Sequence, residues 1–377
     1  MITVRKIIAK QQGLTLIEIM ISLALGLLLS AALLQVLTST GKISGVEGAL
    51  SSMQETGRYA LDTVMKDLRV AGYGGCMDTQ KDSDPTNTTN VDVIADALAG
   101  SVYEAPGVFG YEVNTAGVFD PPVVAAPMNA IQTGGTATVK ARPGTDVLSV
   151  NFASQTSANV VSNAAGGNAV VDGNPWDAEA GDFMFITNCT KAHLFELTSI
   201  GASGGNFSLA HVTGSNNADG NNGVFIPNYD SSGGKVRLWE MRTYFVGDTG
   251  RTTANGDPVY ALYQRIYDEP AQELLEGVEN LQVEYGMQVV GGNGRTRYVS
   301  ANDPDLDFGY VINVRVGLLV HSVEQVADIL DQNTYSLPGG VDIIPGDGLT
   351  ANTHATDRAL RKAFIATVQL RNRRALD

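Results

Sequence analysis

Charge is scarce in this 377-residue chain: Asp, Glu, Lys and Arg together make up 17% of it, against about 25% in an average soluble protein. The charge present is mostly negative, 40 acids against 25 bases for a net of −15, and three of the bases, Arg5, Lys6 and Lys10, stand at the very start. General affinity for nucleic acid comes from clustered cations that neutralise phosphates, so a body this acidic disfavours a nucleic-acid partner unless it presents a local basic stripe. Cysteine is rarer still. Cys76 and Cys189 are the two present, too few for a four-ligand zinc site and without the C-x-x-C spacing of a redox pair. H-E-x-x-H, Walker A and dinucleotide-binding patterns are missing, and the four histidines, His193, His211, His321 and His354, are scattered. Nothing here calls for a cofactor or a catalytic metal. Glycine, by contrast, reaches 42 residues, which suits a loop-rich β protein outside the cytoplasm. There two cysteines read naturally as one disulfide, Cys76–Cys189, closing a loop of about 110 residues worth up to about 4–5 kcal/mol on chain-entropy arithmetic. Two buried, unpaired thiols are the alternative.

One long apolar run dominates the N-terminus. Leu14 to Leu37 is 24 nearly all-apolar positions, about 36 Å as a helix and enough to cross a hydrocarbon layer of roughly 30 Å. The basic residues before it hold the start of the chain on the cytoplasmic side and send the remainder outward. The run is longer than the apolar part of a secretory signal and lacks an A-x-A exit, so it is expected to be retained. Glu18 is its single charge, and an acid within an apolar span is costly enough to be a functional candidate in need of a partner.

The order Gln12-Gly13-Leu14-Thr15-Leu16-Ile17-Glu18 resembles the class III signal of type IV pilins and pseudopilins. The resemblance implies that prepilin peptidase cuts after Gly13, that Leu14 becomes the N-methylated first residue, and that Glu18 is the acid that sets subunit register. Leu14 stands where phenylalanine is commoner. The physics agrees with the implied role: Glu18 can be neutralised by the α-ammonium of a neighbouring subunit's Leu14 only on assembly. A plain signal-anchor with an incidental Glu is the alternative.

Past the membrane the helix is expected to continue. Leu50, Met53, Gly57, Ala60, Leu61, Val64, Leu68 and Ala71 recur at three- and four-residue steps, with Glu55, Arg58, Asp62 and Lys66 opposite, and Ala71-Gly-Tyr-Gly-Gly75 supplies the stop. Gly41, Gly45 and Gly48 mark a stretch that either bends or melts, each Gly costing about 1 kcal/mol relative to Ala, or admits a second helix closely. Ser22-x-x-x-Gly26-x-x-x-Ser30 offers a similar small-residue pattern within the apolar run. The expected organisation is thus a leader at 1–13, a membrane-spanning and fibre-packing helix at 14–37, its amphipathic continuation at 38–75 and a globular domain at 76–377.

In that domain short alternating runs predict strands at Asp146–Phe152, Asp182–Cys189, Phe207–Val212, Val236–Val246, Val259–Tyr267, Leu281–Met287, Tyr310–His321 and Phe364–Leu370, and turns fill 78–92, 161–174, 201–206, 213–223 and 291–304. Ser322-Val-Glu-Gln325 reads as a capping box opening a short helix to about Leu330. The expected fold class is α+β and pilin-like: one long N-terminal helix packed on an antiparallel, β-rich body.

Three patches narrow the resemblance. Gln54-Glu-Thr-Gly-Arg-Tyr-Ala-Leu-Asp62 with Asp67-Leu-Arg-Val-Ala-Gly-Tyr-Gly-Gly-Cys76, then Gly277-Val-Glu-Asn-Leu-Gln-Val-Glu-Tyr-Gly286, then Thr367-Val-Gln-Leu-Arg-Asn372, are similar to PilW-type minor pilins. That implies a non-enzymatic, low-abundance subunit that helps initiate pilus assembly at or near the tip. Its implied partners are other minor pilins, the major pilin, prepilin peptidase, the inner-membrane assembly platform and, before assembly, inner-membrane lipid. Its implied location is the inner membrane, single-pass with the body in the periplasm, and later the pilus tip at the cell surface. The minor pseudopilin of type II secretion (GspJ-like) shares the layout, and a tip adhesin or DNA-uptake binding module is a rival of a different class.

Three weaker patterns remain. Gly201-Ala-Ser-Gly-Gly205 fits G-x-S-x-G with His193 and His211 nearby, but a nucleophile elbow needs a helix on its exit and a strand pattern follows here. Asp303, Asp305 and Asp307 have the spacing of a calcium loop, with Gly one residue late and no closing Glu; a solvated acidic turn is the alternative. Arg358, Arg361, Lys362, Arg371, Arg373 and Arg374 crowd the last twenty residues, either as a solvated strand edge charged against unwanted pairing or as a surface for an acidic neighbouring subunit, anionic headgroups or DNA.

Overall fold

Thr15 begins the helix. Its backbone is extended, and its hydroxyl accepts the Glu18 N–H at 3.4 Å. Thr15-x-x-Glu18 has the sequence form of a capping box. From there one uninterrupted helix runs over Leu16–Val70, 55 residues, about 82 Å at 1.5 Å per residue. The computed structural model describes residues 15–77, 91–94, 107–123, 128–163, 168–211, 228–230, 233–253, 255–289 and 294–372. Gly41, Gly45 and Gly48 do not interrupt the helix, and a Cβ at any of them would meet nothing within 4 Å. The expected weak point is therefore spanned by continuous helix, and among the described residues no element uses the room those glycines leave.

The helix is exposed through Ser44, where its one ion pair to the body among the described residues is Lys42–Asp328, and burial sets in at Gly45. Beyond that, Met53, Gly57, Ala60, Leu61, Val64, Asp67 and Leu68 are buried on one face, as three- and four-residue spacing dictates. Leu50, expected in the stripe, is 39% exposed. The face packs on a four-stranded antiparallel sheet ordered Thr296–Val299, Val278–Gln288, Val311–Gln325, Ala359–Gln369. Val314, Val316, Leu318 and Val320 alternate into the helix-lined core with Leu281 and Val283. Leu319, on the opposite face, packs with Leu337 and Ile343 of a small three-stranded sheet behind, as the two-residue period requires. At the closest approach a Cβ on Gly57 would overlap the ring of Phe364.

Twelve further strands form a second sheet among the described residues. Its long strand Lys235–Thr252 pairs first with Phe183–Thr187, then with Asp146–Ala153 and Pro258–Ile266. Its core holds Phe109, Phe119, Phe185, Trp239 and Phe245. The end of the helix is delivered onto this sheet: Gly72, at φ +70°, donates to Asn151 O at 2.8 Å, and Tyr73 O accepts the Ala153 N–H at 2.7 Å. Three residues on, Cys76 joins Cys189, 113 positions away, in a disulfide, so the thiols are paired. The architecture is α+β and pilin-like, a long helix on a β-rich and mostly antiparallel body. Val91–Ile94 with Ala192–Ser203, and Val341–Gly346 with Thr353–Ala355, pair in parallel.

Each of the eight predicted strands overlaps an observed one. The helix expected from Ser322 does not form. The strand continues through Gln325, paired with Ala359, while Ser322 Oγ donates to Glu324 O and accepts the Leu360 N–H at 2.9 Å. A neighbouring strand captured the hydroxyl that a cap would have used. Segments 161–174, 201–206 and 291–304, expected as turns, contain the strands Ala169–Val171 and Thr296–Val299 and parts of the Ala192–Ser203 and Asn206–His211 hairpin. Segment 213–223 and most of 78–92 lie outside the described residues.

Candidate functional site

Gly13 and Leu14 lie outside the described residues. Glu18 stands in the first helical turn, where the positive end of the helix dipole favours an acid. It is exposed, and no ion pair to it occurs among the described residues. Around and beyond it Leu16, Ile17, Ile19, Leu23, Leu27, Leu33 and Leu37 are each 51–77% exposed, and no part of the apolar window is buried by the body. Ser22, Thr38 and Thr40 turn their hydroxyls back onto the carbonyls of Glu18, Leu34 and Val36 at 2.6, 3.0 and 2.8 Å, which satisfies polar groups inside an apolar surface. An apolar surface this long needs lipid or other helices to cover it.

A buried polar cluster fixes this helix to the body. Asp67 is 4% exposed on the packed face. Arg242 Nη1 donates to both its oxygens at 3.0 and 3.1 Å, Tyr244 Oη donates at 2.6 Å, and Gln264 Nε2 donates to Tyr244 Oη at 2.7 Å. Burial together with the Asp67 charge pushes the Tyr244 hydroxyl well up. For Arg242, burial acts downward but the carboxylates of Asp67 and Glu240 outweigh it and raise the guanidinium. The sequence reading missed Arg242, Tyr244 and Gln264; the available signal was an acid lying between Val64 and Leu68 on an apolar stripe.

The C-terminal cations divide. Arg358, Lys362 and Arg371 are exposed in and around Ala359–Gln369, the outer strand of its sheet, as a charged edge would have them. Arg373 and Arg374 lie outside the described residues. Arg361 departs from both readings: it is 8% exposed and held by Glu279 at 2.9 Å, Asp357 at 2.7 Å and Asp331 at 3.3 Å. Burial would raise the Glu279 carboxyl, but the His321 and Arg361 charges prevail and lower it to about 2.

The remaining motifs have local uses. Arg297 reaches Asp303 at 2.5 Å and Asp305 at 3.1 Å, and Asp307 caps the 3₁₀ turn Phe308–Tyr310 through the Gly309 N–H. In this structure Asp303 and Asp305 are paired with the half-exposed Arg297 and Asp307 serves as a cap. Gly201-Ala-Ser-Gly-Gly205 is a hairpin between Ala192–Ser203 and Asn206–His211, with no helix on its exit. His193 bonds Tyr229 Oη at 2.6 Å, while His321 and His354 bond backbone carbonyls.

Residues 243–372 match the family described as type IV pilus-assembly protein W, PilW, and residues 8–34 match the prokaryotic N-terminal methylation motif. No curated protein matches the chain. The first match spans Tyr244, the whole four-stranded sheet that carries the helix, and Arg361; the second spans Gly13, Leu14 and Glu18. The chain is thus similar to PilW-type pilus-assembly proteins over residues 243–372 and carries a prepilin-type N-terminal methylation motif over residues 8–34.

Proposed function

We propose that this protein is a minor pilin of the type IV pilus that helps initiate and promote assembly at or near the tip. The supporting observation is the helix itself: its first 29 or so residues, about 43 Å, carry an uncovered apolar surface and a single exposed acid in the first turn. Held in the inner membrane as 14–37, with 38–75 leading to a periplasmic body at 76–377, that surface meets lipid before assembly and neighbouring pilin helices afterwards. Prepilin peptidase cuts after Gly13 and Leu14 is methylated. Glu18 pairs with the terminal ammonium of the adjacent subunit and sets axial register, because two lone charges in an apolar medium are relieved only together. The other minor pilins, the major pilin and the assembly platform are its partners, and its role is structural rather than catalytic.

N-terminal mass from cells with and without prepilin peptidase tests the processing. Methylated Leu14 appearing only with the peptidase is expected; Met1 in both would make the helix a plain signal-anchor. Glu18→Ala is expected to leave insertion and cleavage intact while removing recruitment into the assembly complex, and normal piliation from it would dismiss the register role. Deleting the protein separates the secretion reading: pili and twitching are lost if it is a minor pilin, exoprotein secretion if it is a pseudopilin.

A further inference from the structure

The body touches the helix lowest at one loop. Residues 326–334 connect Val311–Gln325 to Tyr335–Leu337, and Asp328 in that loop meets Lys42 of the helix at 3.1 Å. Lys42 is five residues past Leu37, about 7.5 Å along the axis, which is headgroup depth if Leu14–Leu37 crosses the bilayer. The loop tip is apolar: Ile329 is 78% and Leu330 49% exposed. It is also pinned. Ala327 N–H donates to Arg358 O at 3.0 Å, Asp331 N–H to Asp357 O at 2.7 Å, and the Asp331 carboxylate is tied to Tyr335 Oη at 2.9 Å and to Arg361. Two aliphatic side chains are therefore displayed on a bulge whose base is held by the buried Arg361 cluster.

Single exposed apolar residues are ordinary on a protein surface. What distinguishes these is their position beside the expected membrane exit of the helix, next to two exposed cations: Lys42, paired with Asp328, and Arg358, whose backbone carbonyl holds Ala327. We propose that the 326–330 bulge is a second membrane contact, in which Ile329 and Leu330 enter the interface of the leaflet on the body side while Lys42 and Arg358 face lipid phosphates. Apolar tips between cations are what an interfacial contact requires. The surface Lys42–Asp328 pair is weak enough in water not to oppose this. The contact orients the body on the bilayer before the subunit is extracted. It rests on the reading of the helix as a membrane anchor.

The test uses the full chain, whose two native cysteines are joined, carrying one of Ile329→Cys, Leu25→Cys or Arg371→Cys. Each is labelled with an environment-sensitive fluorophore in phosphatidylethanolamine–phosphatidylglycerol vesicles containing lipid-borne nitroxide quenchers. Arg371 is the distant reference: its neighbour Asn372 bonds Val70 O, about 42 Å up the helix from Lys42. The label at 329 is expected to shift to the blue and to be quenched about threefold more than the label at 371, approaching the label at 25. Quenching at 25 with 329 no different from 371 overturns the lipid contact and leaves the anchor standing. No quenching at 25 removes the anchor and the proposal with it. Shielding of 329 that arises only when a second pilin chain is reconstituted alongside assigns the bulge to a subunit contact instead.

Discussion

Asp146 and Glu112 are partners in the register between Val108–Val113 and Asp146–Ala153, two carboxyl groups brought together where the large sheet meets the Val278–Gln288 strand. Asp146 is 2% exposed and its Oδ2 accepts the Val283 N–H at 2.6 Å. Burial first, and the neighbouring Glu112 charge second, push the Asp146 carboxyl well above the usual range, and burial raises Glu112 as well. The native state thus retains a proton that the unfolded chain releases near pH 4. Its stabilising effect is complete below that pH and is lost as pH rises through the raised native value. Asp146→Asn keeps an acceptor for Val283 and offers Glu112 a donor. It is expected to add about 1–2 kcal/mol at pH 8 and close to nothing at pH 4, read from denaturant midpoints at both pH values. Equal effects at the two would show that no proton is shared. Glu279 has the opposite sign: with its carboxyl lowered to about 2, its contribution is present above about pH 4.3 and is lost as pH falls toward 2.

Between elements, the decisive contact is the seat of the helix on the four-stranded sheet. Gly57 faces Phe364, and Gly57→Ala places a methyl group inside that ring. Overpacking of this kind costs about 1–3 kcal/mol. Thermal melting of the variant is expected at lower temperature, and Phe364→Leu in the same chain is expected to restore part of the loss. A Gly57→Ala melt like that of the parent would mean the helix rides higher on the sheet. Arg242→Met leaves the Asp67 charge buried beside Tyr244 alone, a loss of about 3–5 kcal/mol, measurable by the same melts. The face carrying Met53, Ala60, Val64 and Leu68 was legible because a 3.6-residue period is local. The meaning of Gly57 was not, since Phe364 lies about three hundred positions on. Ser322 shows the same limit: its local pattern spells a helix cap, and pairing with Ala359–Gln369 overrode it.

For the whole molecule, the Cys76–Cys189 bridge secures the junction of the long helix to the large sheet. Reduction is expected to lower the unfolding free energy by about 2–4 kcal/mol, with loop-closure entropy as the source. A denaturation midpoint unmoved after both thiols have been titrated as free would show that the Asp67 cluster and the helix seat hold the junction by themselves. The same anchoring leaves the apolar segment from Leu16 to Leu37 as continuous helix that the body does not bury.

The apolar run, the placement of Glu18 in the first helical turn and the amphipathic continuation follow from sequence alone, because hydropathy and helix amphipathicity depend on residues a few positions apart. The stronger strands are legible for the same reason, through alternation along one stretch. Short strands such as Ala169–Val171 and Thr296–Val299 carry too little local pattern, and they exist because neighbours offer them hydrogen bonds. Only the tertiary structure decided that Arg361 is an internal counter-ion rather than a surface charge, that Arg297 takes the acids of the calcium-like turn, and that Asp328 reaches Lys42. Arg361–Glu279 and Lys42–Asp328 pair charges 82 and 286 positions apart, and where they meet is set by how the sheets and the helix pack; Arg297 meets its acids only six and eight positions on, across a turn whose shape the sequence does not spell.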